Sequence, residues 1–205
     1  MAGRPRRSSG GGQSTRVGAD SDPANAPADP EAVARLICLR LLTAAPRTRA
    51  QLAHALKRRG VPADAAEAVL GRFAEVGLID DGMFAAAWVE SRHYGRGLGR
   101  RALAAELGQR GVTQEDIEAA VGQLSAETER ATALALVERK IASTAGQPYH
   151  ARVRKLVGML ARKGYPSGLA YGVVREALDR TGQDPSGAAM DDEPLAFDEY
   201  EPGAD

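Results

Sequence analysis

One short pattern occurs three times along this chain of 205 residues, and it limits the possible folds more than any other feature. The three copies read LKRRGVP at 56–62, LGQRGVT at 107–113 and LARKGYP at 160–166. Their glycines, Gly60, Gly111 and Gly164, are 51 and 53 residues apart. A nearly constant period of this size is typical of repeat architectures, in which each repeat packs against its neighbours.

Apolar residues with helical spacing occupy matching positions in the three copies. Four and eight residues before the glycines stand six leucines: Leu52, Leu56, Leu103, Leu107, Leu156 and Leu160. Earlier in each copy come pairs that are also four residues apart: Val33/Ile37, Phe84/Trp88 and Val137/Ile141. Residues four apart lie on one face of an α-helix, and the alternation typical of strands is hard to find. The sequence therefore predicts three amphipathic helices in each copy.

The predicted fold is all-α, with three tandem three-helix repeats that form an elongated, curved array between disordered N- and C-terminal tails. The repeats span about 30–77, 78–125 and 126–181, and the tails span 1–29 and 182–205. The predicted helices cover 31–44, 48–59, 62–76, 81–94, 99–110, 113–124, 126–145, 148–163 and 166–180. Helix-start signals support these bounds, since Thr48 and Gln51 form a capping box and Asp29 precedes a first-turn proline.

The net charge of zero hides an uneven distribution. Residues 31–180 contain 23 Lys or Arg and 16 Asp or Glu, a net charge of +7, whereas 181–205 contain eight acids and no base. The first 29 residues have too few apolar side chains to offset the entropy of ordering. The acidic tail either folds back over the basic body and competes with an anionic partner or stays solvated, and the sequence leaves both open.

The chain has the features of a cytoplasmic protein. A single cysteine, Cys38, excludes a disulfide framework and indicates a reducing compartment. The longest apolar run, 36–45, is interrupted by Arg40 and is too short to cross a bilayer. No export signal follows the N-terminal arginines. We expect a cytoplasmic monomer that does not contact a membrane.

The sequence contains no convincing catalytic or metal-binding motif. The three histidines lie in separate repeats and are expected on the surface or at helix ends: His54, His93 and His150. Asp80 and Asp81 precede a helix, where an acidic residue acts as a cap. Phe84 and Trp88 are expected in the core. We therefore predict a protein that is not an enzyme and uses neither metal nor cofactor.

Basic residues form two columns that recur with the repeat. The first column lies in the last turn of each middle helix: Lys57, Arg58, Arg59, Arg110, Arg162 and Lys163. Cations at this end complement the helix dipole, so helix stability alone accounts for much of this column. These residues are secondary candidates for partner contact.

The second basic column lies in the first turn of each middle helix, with two further arginines nearby: Arg47, Arg49, Arg100, Arg101, Arg152, Arg154 and Lys155, then Arg92 and Arg96. The dipole disfavours cations at this end, so the helix itself does not explain them. They are the main candidates for contact with an anionic partner. Arginine binds phosphate and carboxylate alike, so DNA and an acidic protein surface both remain open.

The block GLIDDGMFAAAWVESRHYGRGLGRRALAAELGQRGV, residues 77–112, resembles the RecX family of recombination regulators. RTRAQLAHALKRRGVP at 47–62 and RVRKLVGMLARKGYP at 152–166 resemble the first and third units of that family. The resemblance covers about 35–180. Tyr165 stands where the family often has Phe, and Ala50 stands where a polar or acidic residue is usual.

The resemblance implies a regulator of DNA repair and the SOS response that lies in the groove of the RecA filament on DNA. Such a protein would inhibit the ATPase, strand-exchange and coprotease activities of RecA by bridging protomers or by occupying the site for homologous DNA. The basic residues would then contact RecA or DNA, single- or double-stranded, weakly and without sequence preference. The alternative is a stand-alone DNA-binding protein in which helices such as 99–110 and 113–124 act as helix-turn-helix units.

Overall fold

The computed structural model describes residues 29–182, which are helical and contain no strand within that range. In chain order the helices are α1 (Pro30–Ala44), α2 (Arg49–Lys57), α3 (Ala63–Glu75), α4 (Asp81–Arg96), α5 (Arg100–Gly108), α6 (Gln114–Gly122), α7 (Ala126–Ile141), α8 (Tyr149–Arg162) and α9 (Ser167–Asp179). The all-α prediction is confirmed. The predicted helix bounds agree within two residues except after α7, where the last predicted turn is the 3-10 helix Ala142–Thr144. Residues 1–28 and 183–205 of the predicted tails lie outside the described residues.

Side chains at the helix starts satisfy backbone N–H groups that have no partner inside the helix. Thr48 and Gln51 form the predicted capping box: the Thr48 hydroxyl accepts from the Gln51 N–H at 3.2 Å, and the Thr48 N–H donates to Gln51 Oε1 at 3.3 Å. Asp80 accepts from the Met83 N–H at 2.8 Å, which confirms its predicted role as a cap. Asp29 and Thr113 cap α1 and α6 in the same way.

Each group of three helices has its own core. The six leucines of the repeat are at most 2% exposed, two in each core. Phe84 and Trp88 pack against the second core, as predicted. All strongly contacting helix pairs lie within α1–α3, within α4–α6 or within α7–α9, which we call units 1, 2 and 3. The fold is therefore three small helical units in tandem.

Contacts between units follow chain order. Within residues 29–182, hydrogen bonds and ion pairs join unit 1 to unit 2 and unit 2 to unit 3, and none joins unit 1 to unit 3. This nearest-neighbour pattern is characteristic of a repeat array. No helix in this part of the chain is long and apolar enough to cross a membrane.

The repeated glycine ends the middle helix in every unit. Gly60, Gly111 and Gly164 have φ of +74°, +75° and +85°, and the N–H of the next residue bonds back to the leucine four residues before the glycine. Gly111 and Gly164 also press against the preceding unit. A Cβ on Gly111 would overlap Ala50, and a Cβ on Gly164 would overlap Ala102, whereas a Cβ on Gly60 would meet nothing within 4 Å. The close approach to Gly111 also accounts for the small side chain at Ala50.

Candidate basic interface

The two basic columns of the sequence meet at the junctions between units. At the first junction the Thr48 hydroxyl donates to the Arg110 carbonyl at 2.6 Å, and at the second the Gly99 N–H donates to the Lys163 carbonyl at 2.8 Å. Both donors are N-caps of a middle helix, and both acceptors directly precede a repeated glycine. Each junction therefore places the first turn of one middle helix beside the last turn of the next.

An acidic residue of the following unit caps each of these first turns. The Arg49 N–H donates to Asp81 Oδ1 at 2.9 Å, and the Arg100 N–H donates to Glu129 Oε1 at 2.9 Å. Burial raises the pKa of the Asp81 carboxyl, and the hydrogen bond from the Arg49 backbone partly opposes that rise. Asp81 thus caps α2 from across the junction, while Asp80 caps its own helix α4.

Three arginines of the second column have structural partners that the sequence did not show. Arg49 forms an ion pair with Glu67 of α3 at 2.5 Å, and Arg100 forms one with Glu129 at 3.3 Å. Arg152 is only 3% exposed, and its Nε donates to the Thr144 hydroxyl at 3.0 Å. Its guanidinium also lies 3.4 Å from the Ile141 carbonyl, at the end of α7. Tertiary contacts therefore explain these three cations, and their role in partner binding stays a prediction.

Arg92 and Arg110 both pack over the ring of Trp88. Their guanidinium carbons lie 4.1 and 3.7 Å from the centroid of the Trp88 ring, within the range of cation–π attraction. Glu106 completes the cluster, since it accepts from Trp88 Nε1 at 2.8 Å and lies 3.7 Å from Arg92. Phe84 stacks on Trp88 with ring centroids 5.7 Å apart. The cluster holds both guanidinium groups in place at the surface of unit 2.

Most of the remaining candidates are exposed side chains without an ionic partner in the described residues. Seven are exposed and form no ion pair within residues 29–182: Lys57, Arg58, Arg96, Arg101, Arg154, Lys155 and Arg162. Arg59 is also exposed and donates only to the Ala55 carbonyl of its own helix. Arg47 is half-buried, and Lys163 Nζ donates to the Arg96 carbonyl at 2.6 Å. These exposed cations come from all three units and form the candidate interface.

The histidines are where the sequence predicted them. His54 and His150 are exposed, and His93 is buried near the end of α4. His93 Nδ1 lies 2.9 Å from the Leu98 carbonyl, and its Nε2 lies 2.8 Å from the Thr132 hydroxyl of unit 3. Because a carbonyl only accepts, Nδ1 carries a proton and His93 links two units. Among residues 29–182, no three His, Cys, Asp or Glu side chains are grouped to hold a metal ion.

The burial of Arg152 had a signal in the sequence. Thr48, Gly99 and Arg152 stand twelve residues before the repeated glycines. Each of them lies four residues, about one helical turn, before a buried leucine, and all three are buried. Helical spacing alone therefore separates Arg152 from the exposed Arg154. The acidic partners had no such signal, because Asp81 lies 30 residues before its glycine and Glu129 lies 35 before its own.

Known proteins match this chain along its helical part. Three family models match in tandem: "RecX, first three-helix domain" at residues 34–73, "RecX, second three-helix domain" at 80–121 and "RecX, third three-helix domain" at 127–174. A Regulatory protein RecX of Thermobifida fusca is 62% identical over 157 residues, which are 77% of this chain and 85% of that protein. One of Streptomyces coelicolor is 55% identical over 180 residues, 88% of this chain and 94% of that protein.

Two crystal structures have the same fold. The structure of RecX from Lactobacillus salivarius matches with a TM-score of 0.69 at 18% identity, over 73% of this chain and 97% of that one. A second structure, of a regulatory protein RecX, matches with a TM-score of 0.66 at 27% identity, over 73% of each chain. The tandem arrangement of three helical units is therefore shared with solved relatives.

Proposed function

This chain belongs to the RecX family of regulatory proteins, and we propose that it binds the RecA filament on DNA and lowers the activities of RecA. RecA hydrolyses ATP on DNA, exchanges strands and acts as a coprotease, and the bound chain reduces all three. Its role is regulatory, and its contribution is to occupy a surface rather than to perform a reaction.

The observation that carries the proposal is the arrangement of the exposed cations. They recur with the units, and the described body has an excess of seven positive charges between residues 31 and 180. A filament on DNA carries anionic phosphates along its length, so exposed cations on all three units complement its charge. Arg101 and Lys155 are suitable probes, because they are exposed, form no ion pair in the described range and lie in units 2 and 3.

The alternative of a stand-alone helix-turn-helix protein has less support. A recognition helix presents polar side chains near its N-terminus to the bases, but the first turn of α6 contains Glu115 and Asp116, which phosphates repel. Gln114 donates to Glu118 at 2.7 Å, and Thr113 caps the helix. The polar groups of this turn are therefore already engaged within the helix.

The proposal is tested by ATP hydrolysis by RecA on single-stranded DNA with increasing amounts of the purified chain. We expect the rate to fall at stoichiometric concentrations. The variant Arg101→Glu with Lys155→Glu should inhibit less, because it replaces two exposed cations by anions. The matched control, Arg72→Glu with Arg175→Glu, makes the same charge change at exposed positions outside the basic columns and should inhibit as the unmodified chain does. An unchanged rate at a molar excess of the chain would rule out the inhibition.

A further inference from the structure

A groove of about 860 Å³ lies at the junction between unit 1 and unit 2. One wall is the exposed side of α2, and the other is the end of α5 with the turn that follows it. The groove therefore spans two units, and whatever occupies it contacts both.

The charge in this groove has one sign. No aspartate or glutamate lines the groove. Its lining includes four arginines and one histidine: Arg47, His54, Arg58, Arg59 and Arg110. None of the four guanidinium groups forms an ion pair within residues 29–182. The positive charge of the groove is therefore not neutralised by an acidic residue of the described chain.

One of the guanidinium groups is already held in position. Arg110 lies on the Trp88 ring at 3.7 Å, and its Nη1 donates to the Glu106 carbonyl at 2.5 Å. Because its geometry is set before binding, little side-chain entropy is lost when an anion arrives. Arg58 and Arg59 are exposed on the opposite wall and belong to unit 1.

We propose that this groove binds the phosphodiester backbone of DNA between Arg58 and Arg59 of unit 1 and Arg110 of unit 2. The choice of DNA as partner rests on the proposed function, whereas the groove and its charge do not. The lining contains one large apolar residue, Leu41, and no Phe, Tyr or Trp. Protein interfaces bury apolar and aromatic side chains at their centre, whereas nucleic-acid interfaces are polar and strongly basic.

The same features predict how the DNA is bound. The groove contains no Phe, Tyr or Trp for bases to stack on, so its arginines contact phosphates and binding does not depend on base sequence. Gly108 lines the groove as well and presents only backbone there.

The second junction does not repeat this chemistry. Fifty-one residues after Arg47, His54 and Ala55 stand Leu98, Ala105 and Glu106. The second junction therefore has apolar residues in place of Arg47 and His54, and a glutamate in place of Ala55. Lys163, which corresponds to Arg110, donates to the Arg96 carbonyl. The phosphate site therefore belongs to the first junction.

The test is a salt titration of DNA binding without RecA. A fluorescein-labelled thymidine oligonucleotide is titrated with the full chain, and anisotropy gives the affinity at several salt concentrations. For single strands the logarithm of the affinity changes with the logarithm of the salt concentration by about 0.7 per phosphate contact. The variant Arg58→Gln with Arg59→Gln should lower this slope by about 1.4. The control Arg72→Gln with Arg175→Gln should leave it unchanged. Circular dichroism of both variants should match that of the unmodified chain, because all four residues are exposed.

Two outcomes would overturn the assignment. Equal slopes for Arg58→Gln/Arg59→Gln and the unmodified chain would show that the groove does not contact phosphates. Displacement of the oligonucleotide by poly-glutamate of equal charge, as strongly as by unlabelled oligonucleotide, would assign the groove to an acidic protein instead. Failure of the proposed function would look different, since RecA hydrolysis would stay unchanged while the slopes still differ.

Discussion

Replacing Gly164 by alanine should separate the two roles of the repeated glycine when it is compared with the same change at Gly60. Both residues have a left-handed backbone, with φ of +85° and +74°. Around Gly60 a Cβ would meet nothing within 4 Å, whereas at Gly164 it would overlap the backbone and side chain of Ala102 in unit 2. Gly60→Ala therefore strains only its own turn, and Gly164→Ala also pushes unit 3 away from unit 2.

The difference between the two variants follows from the contacts at the second junction. The left-handed conformation costs a non-glycine residue about 1–2 kcal/mol, and this cost applies to both variants. Three hydrogen bonds depend on the close approach: Gly99 N–H to the Lys163 carbonyl at 2.8 Å, Arg101 N–H to the Gly164 carbonyl at 3.3 Å and the Tyr165 hydroxyl to the Gly97 carbonyl at 3.1 Å. Each contributes about 0.5–1.5 kcal/mol, so Gly164→Ala should be destabilised by about 1.5–4.5 kcal/mol more than Gly60→Ala.

Urea unfolding followed by circular dichroism measures this difference. We expect Gly60→Ala to lower the free energy of unfolding by the smaller amount and Gly164→Ala to lower it by the larger. Gly111→Ala, which would overlap Ala50, should resemble Gly164→Ala. Equal effects of Gly60→Ala and Gly164→Ala would refute the view that the second and third glycines hold the units together.

Three further predictions concern single side chains. Thr48→Ala removes both the capping box and the bond to the Arg110 carbonyl, so it should lower the free energy of unfolding by about 1–2 kcal/mol in the same urea assay. Thr48→Ser keeps the hydroxyl and should retain most of the stability of the unmodified chain. Arg152→Gln should lower the free energy of unfolding by about 1–3 kcal/mol and leave the salt dependence of DNA binding unchanged. The exposed Arg154→Gln should leave the free energy of unfolding unchanged. A weaker salt dependence with unchanged stability for Arg152→Gln would show that Arg152 is a contact residue. Burial, with a smaller contribution from the nearby Glu129, raises the pKa of Tyr165 from 10.0 to about 12. In the folded chain Tyr165 keeps its proton up to a higher pH than in the unfolded chain. The stability that this gives is fully present below pH 10, and the free energy of unfolding should fall as the pH rises from 10 through 12. Thermal unfolding between pH 9 and 12 should show that fall in the unmodified chain and a smaller fall in Tyr165→Phe.

The helices and cores could be predicted from the sequence because their cause is local. A leucine every four residues places one face of a helix against its neighbours, and all six leucines of the repeat are buried. Thr48 and Asp80 cap helices for an equally local reason, since each side chain accepts from an N–H three residues ahead.

The junctions could not be predicted in this way because their contacts depend on how units dock. Asp81 and Glu129, which accept from the backbone N–H groups of Arg49 and Arg100, lie 32 and 29 residues away from them in the next unit, so no local pattern connects them. The groove at the first junction also combines residues from two units, so its single sign of charge becomes visible only when α2 and the end of α5 are side by side. Part of the second basic column consequently has structural partners, and the exposed remainder is a smaller set of candidates than the sequence indicated.

Binding to the filament itself tests the central claim most directly. RecA filaments are assembled on single-stranded DNA with a slowly hydrolysed ATP analogue and sedimented with the chain, with RecA-free DNA as the reference. The account predicts that the unmodified chain and the Arg72→Glu/Arg175→Glu control sediment with the filament, and that Arg101→Glu/Lys155→Glu stays largely in solution. Sedimentation of the unmodified chain with RecA-free DNA to the same extent as with the filament, or with neither of them, would contradict the account.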